Sequence, residues 1–88
     1  MAFPGGSAYA MARDVAEGYL LVTDRVFKPM SRSELDQIVF ELDRYLRDLR
    51  GEQPPLNDTQ ALQMRQRRIQ RLNNALMIVR GYRLRQKI

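Results

Sequence analysis

Between Leu35 and Leu49 the apolar residues Leu35, Ile38, Val39, Leu42, Leu46 and Leu49 recur with a period near 3.6, the stripe of an amphipathic helix. Its start is marked by Ser31-Arg32-Ser33-Glu34, a capping box in which the serine hydroxyl and the glutamate carboxylate satisfy each other's end of the first turn. Gly51 and Pro54-Pro55 supply the stop, so the pattern predicts a helix over about 32–50. The charges agree with the helix dipole, with Glu34 and Asp36 in the first turn and Arg47 and Arg50 in the last.

A second start follows the two prolines, with Asn57, Asp58 or Thr59 as the cap. Leu62, Ile69, Leu72, Leu76 and Val79 then repeat at heptad spacing, with Arg65 in the vacant position, and predict a helix over about 59–80. Folding the two helices back on each other pairs Leu49 with Leu62, Leu46 with Arg65, Leu42 with Ile69, Val39 with Leu72 and Leu35 with Leu76 in one constant register. The expected element is an antiparallel helical hairpin with coiled-coil-like packing at a shallow crossing angle.

The N-terminal third is less regular. Ala8, Met11, Val15, Tyr19, Val22 and Val26 keep helical spacing, while Gly18 interrupts them and Tyr19 to Thr23 has strand propensity. The spacing favours one helix over about 8–27, ended by Pro29, with residues 1–7 a mobile tail. After Gly81, apolar and basic residues alternate from Tyr82 to Ile88, which suggests a frayed helix end or an extended basic tail over 82–88. The fold class expected is all-α: the hairpin completed by the N-terminal helix as a small three-helix bundle in one domain, 1–88, or by a second copy of the chain as a homodimer.

Charge divides unevenly over these elements. Residues 59–88 carry eight basic side chains and no acidic one, whereas residues 1–58 carry seven basic and ten acidic ones, so +8 and −3 make up the net +5. This split points to a docking face for something anionic. Arg67, Arg68 and Arg71 fall opposite the Leu62/Ile69/Leu72 stripe and are expected to project together from the outer face of the hairpin, where they could grip phosphates or carboxylates. The alternative is a solvated helix face. Arg80, Arg83, Arg85 and Lys87 form a second basic group, more than the helix dipole alone requires, with Tyr82 and Leu84 between them. Phe40 and Ile78 both project away from the hairpin seam, so they are covered by the N-terminal helix or form an oligomer interface.

The chain contains no cysteine and no histidine, which removes disulfides, thiol nucleophiles, the usual zinc ligands and the commonest general base. Asp36, Glu41 and Asp43 have no nucleophile, glycine-rich phosphate loop or metal-ligand pattern beside them. No cofactor or metal is expected, and no enzyme. The longest apolar runs are far too short to cross a bilayer and no signal peptide is evident, so a cytoplasmic setting is expected. The expected function is a non-enzymatic protein–protein interaction or assembly module with a basic face for an acidic protein partner. The alternative is a nucleic-acid-binding protein that uses the arginine-rich second hairpin helix and the C-terminal basic group.

Overall fold

The computed structural model describes residues 3–52 and 56–87 and contains four helices: α1 (Ala8–Glu17), α2 (Asp24–Phe27), α3 (Arg32–Gly51) and α4 (Thr59–Gln86). There is no strand among the described residues. The helix α3 begins where the capping box predicts: the Glu34 N–H donates to Ser31 Oγ at 3.2 Å, and the Ser31 N–H donates to Glu34 Oε1 at 2.8 Å. The Asp58 carboxylate caps α4, accepting from the Ala61 N–H at 3.0 Å. The diproline stop lies outside the described residues.

The hairpin is antiparallel. Near the connection, Arg65 of α4 reaches the Leu49 carbonyl, while at the far ends Asp36 of α3 pairs with Arg83 of α4. The face of α3 that carries Leu35, Ile38, Leu42, Leu46 and Leu49 is buried, as is the α4 face with Leu72, Ala75, Leu76, Val79 and Tyr82. At about 1.5 Å per residue, the 28 residues of α4 match the 45 Å long axis of the molecule, so α4 is the spine on which the rest is laid.

Against this hairpin α1 packs on both α3 and α4, which completes the three-helix bundle, and α2 packs on α4. Met11, Phe27, Leu35, Ile38, Leu42, Leu72 and Val79 are the large side chains fully shut off from solvent at its centre.

Three boundaries differ from the expectation. The N-terminal helix does not run over 8–27; it stops at Glu17, because Gly18 adopts φ 83° and the chain reverses. There the Gly18 N–H bonds the Val15 carbonyl at 3.2 Å and the Tyr19 N–H bonds the Asp14 carbonyl at 2.8 Å, the paired bonds of a Schellman cap. Residues 19–23 are neither helix nor strand, with Tyr19 and Leu21 in solvent and Val22 buried, before the short α2. At the other end α4 continues through Gly81 to Gln86, so residues 82–86 are helix and not an alternating extended tail. The reason is Tyr82, which is buried with its ring 6.0 Å from that of Phe27 and tilted against it. Ahead of α1, Phe3 packs against the core and its carbonyl accepts from the Gly6 N–H at 3.0 Å, so residues 3–6 form a turn seated on the bundle.

Candidate interaction surface

The basic side chains of α4 leave the helix in several directions, and most of them end on groups of the neighbouring helices. Arg68 forms a two-pronged ion pair with Glu17, Nε to Oε1 at 2.9 Å and Nη2 to Oε2 at 3.4 Å, both side chains being about 30% exposed. One turn on, Arg71 Nη1 donates to the Ala16 carbonyl at 3.1 Å. The last carbonyls of a helix lack intrahelical partners and carry the negative end of its dipole, so a guanidinium there satisfies both needs at once. Gly18 makes the approach possible, since a Cβ at that position would lie 2.9 Å from Arg71 Cζ.

The same chemistry recurs on α3. Arg65 donates from Nε and Nη2 to the Leu49 carbonyl at 3.2 and 2.9 Å, and from Nη2 to the Arg50 carbonyl at 3.4 Å. It therefore caps the C-terminus of α3 with its guanidinium. Asn73, near the same junction, accepts from Arg50 Nη2 at 3.5 Å. Toward the other end, Arg83 pairs with Asp36 at 2.7 Å and Arg85 with Asp24.

The expected solvent-facing cluster of Arg67, Arg68 and Arg71 is thus corrected. The flank of α4 that bears Arg68 and Arg71 receives α1, and those two guanidiniums fasten its C-terminal end. Five of the eight basic residues, Arg65, Arg68, Arg71, Arg83 and Arg85, meet groups of α1, α2 and α3. Arg67, Arg80 and Lys87 are exposed and have no hydrogen-bond or ion-pair partner among the described residues. Of these, Arg67 lies thirteen residues from Arg80, about 20 Å along the axis and on another side of the helix, whereas Lys87 follows the last turn of α4, seven residues from Arg80, in left-handed conformation.

Phe40 and Ile78 also part company. Ile78 is half-buried against the core, while Phe40 is 56% exposed. Phe40 borders a groove of about 530 Å³ with Ala8 and Tyr9 of α1. Another outward apolar surface is one that the heptad reading passed over: Met77 and Leu84, 70% and 80% exposed, two turns apart on α4. They flank Arg80 on the side of α4 next to α3, where Val39, Arg80, Arg83 and Leu84 line a groove of about 440 Å³. The continued seven-residue spacing from Met77 to Leu84, on a stripe offset from the core one, was the available signal.

A third concavity, of about 390 Å³, lies between α1, α3 and α4 and mixes charges of both signs, among them Glu17, Glu41, Arg44 and Arg68. Arg44 lies over the Tyr9 ring at 5.8 Å and pairs with Glu41 at 3.4 Å. Burial, and then the negative charge of Glu17, raise the Tyr45 phenol above the ordinary tyrosine value. Its ionisable groups are matched mainly to one another. Among the described residues no group of three or more carboxylates is placed to hold a metal ion, and no helix is long and apolar enough to cross a membrane. Comparison with protein-family models, with curated proteins and with solved structures finds no match to this chain.

Proposed function

We propose that this chain is a small non-enzymatic interaction or assembly module that docks another protein on the α3/α4 side of the bundle, in a cytoplasmic setting. The observation that carries this reading is the juxtaposition of Met77 and Leu84, two large apolar side chains in solvent on a packed helix, with the unpaired cations Arg80 and Lys87. Single exposed apolar residues are ordinary on any surface. Two of them two turns apart on one helix side, Leu84 lining a groove and unpaired charge between and beyond them, have the make-up of a protein-contact patch. Capture from native lysate with and without nuclease tests it: a protein partner retained after nuclease and lost with Met77→Glu and Leu84→Glu together supports the reading. Capture that disappears on nuclease treatment overturns it.

The second reading, nucleic-acid binding, is favoured by the net charge of +5 and the sequence pI of about 10.2. It is weakened by the five basic side chains already engaged by groups of α1, α2 and α3 and by the separation of Arg67 from Arg80 and Lys87. If nucleic acid is bound through Arg80 and Lys87, replacing both should lower the salt slope on duplex DNA by up to ~1.8, at ~0.9 per phosphate contact. Submicromolar duplex binding at physiological salt would establish this reading over the first.

A further inference from the structure

The groove between α3 and α4 has a chemistry specific enough to name its occupant. On α4 the groove is lined by Arg80, Arg83 and Leu84; Met77, one turn before Arg80, lies on the same side of the helix, and Lys87 follows the last turn in left-handed conformation. Val39 of α3 forms the apolar floor opposite Leu84. Arg83 is already paired with Asp36, which leaves Arg80 as the unpaired charge that lines the groove, with Lys87 just past the end of α4. On α3, Asp43, one turn after Val39, is itself paired with Arg47 at 3.3 Å. The attraction for carboxylates is therefore one-sided.

From this we infer that the groove receives an acidic amphipathic helix of a partner protein, laid along α4, its apolar residues against Val39, Met77 and Leu84 and its carboxylates toward Arg80 and Lys87. This rests on the protein-partner reading above and names the partner's chemistry. An extended, apolar-floored groove with two flanking cations matches the helix-in-groove mode, where anchors recur every three or four residues and flanking charge sets specificity. A phosphate backbone would meet the two cations but leave Met77 and Leu84 in water. A second copy of this chain would bring another +5 to the contact, and like charge opposes close approach.

The probe is a synthetic peptide about 18 residues long, sufficient for a stable helix, with leucines at three- and four-residue spacings and glutamates beside them. A control peptide carries lysine in place of every glutamate. Titrated into the ¹⁵N-labelled chain, the acidic peptide should shift the amides of Val39, Met77, Arg80 and Leu84, and the lysine peptide should bind at least ~10-fold more weakly. Arg80→Glu and Leu84→Glu, each at an exposed position and each expected to melt like the wild type, should each weaken the acidic peptide at least ~10-fold. Shifts centred elsewhere, equal binding of the two peptides, or a short DNA duplex that binds more tightly to these same residues would overturn the assignment. If the peptide misses the groove while nuclease-resistant capture of a protein partner persists in wild type and is lost with Met77→Glu and Leu84→Glu together, the acidic-helix assignment fails and the protein-partner reading stands.

Discussion

Arg65 and Arg71 lie on the same basic helix as Arg67, yet only the first two reach backbone carbonyls at the C-terminal ends of neighbouring helices, Arg65 sharing the Leu49 carbonyl with the Glu52 N–H. Arg65→Ala should therefore cost about 1–2 kcal/mol and Arg71→Ala about 1 kcal/mol, whereas Arg67→Ala should stay within ~0.5 kcal/mol of wild type in urea unfolding. Arg65→Lys should recover only part of the loss, because an ammonium lacks the planar fork that spans two carbonyls. Gly18→Ala should cost at least ~1 kcal/mol from its left-handed backbone alone, and more because the new methyl displaces the Arg71 guanidinium. A double-mutant cycle checks this: the cost of Gly18→Ala should be smaller when Arg71 is already alanine, and strict additivity would refute the contact. At Tyr45 the folded state favours the neutral phenol. The associated stability is complete below the unfolded tyrosine value of about 10 and is lost as pH rises through the higher folded value. Subtracting the alkaline ultraviolet titration of Tyr45→Phe from that of wild type should isolate a phenol with its midpoint above about 10.

Helix ends decide the behaviour of the elements. The reciprocal bonds of Ser31 and Glu34 hold the first turn of α3, so Ser31→Ala should lower stability by about 1 kcal/mol. In α4 the informative position is Gly81, a helical glycine where an added Cβ would meet only Arg85 Nη1, at 3.4 Å. Gly81→Ala should therefore stabilise the chain by about 0.5–1 kcal/mol, as expected for an interior helical site. A frayed or extended segment after residue 80 would give no such gain, so an unchanged unfolding midpoint would contradict the continuous helix.

Across the whole molecule, α4 acts as the common support for α1, α2 and α3. Its C-terminal turns hold α2 through the Tyr82–Phe27 contact and the Arg85–Asp24 pair. Tyr82→Ala should cost about 3 kcal/mol, and hydrogen exchange should show Asp24–Phe27 released well before Ala8–Glu17. Equal loosening of both segments would mean that α1 also depends on this end of α4. The charge asymmetry of the chain gains its meaning at this scale, since the acid-free α4 pairs with Glu17, Asp24 and Asp36 of the acidic part. Internal complementarity accounts for most of a charge pattern that in isolation suggests an external anion. What remains outside is the smaller, partly apolar patch around Arg80.

Signals confined to a few neighbouring residues were sufficient in the sequence itself: the capping box at Ser31, the Asp58 cap and the core stripe of α3 depend on groups three or four residues apart, which any helix brings together. Gly18 acts as locally, through its left-handed cap, yet the helical spacing on both sides of it favoured one helix over about 8–27, and the stop at Glu17 emerged only in the fold. The all-α class and the hairpin followed from the same periodicity. The destinations of the arginines did not, since Arg68 and Arg71 find their partners 51 and 55 residues away, and a long side chain on one helix face can reach either neighbour. Only the packing of α1 against α4 selected those carbonyls and carboxylates, and only the burial of Tyr82 on Phe27 carried α4 past Gly81. The separation of Phe40 from Ile78, and the emergence of Met77 and Leu84 beside unpaired Arg80, likewise depended on which helix flanks were covered. Helical periodicity orients each residue within its own element, but burial is settled by what lies opposite.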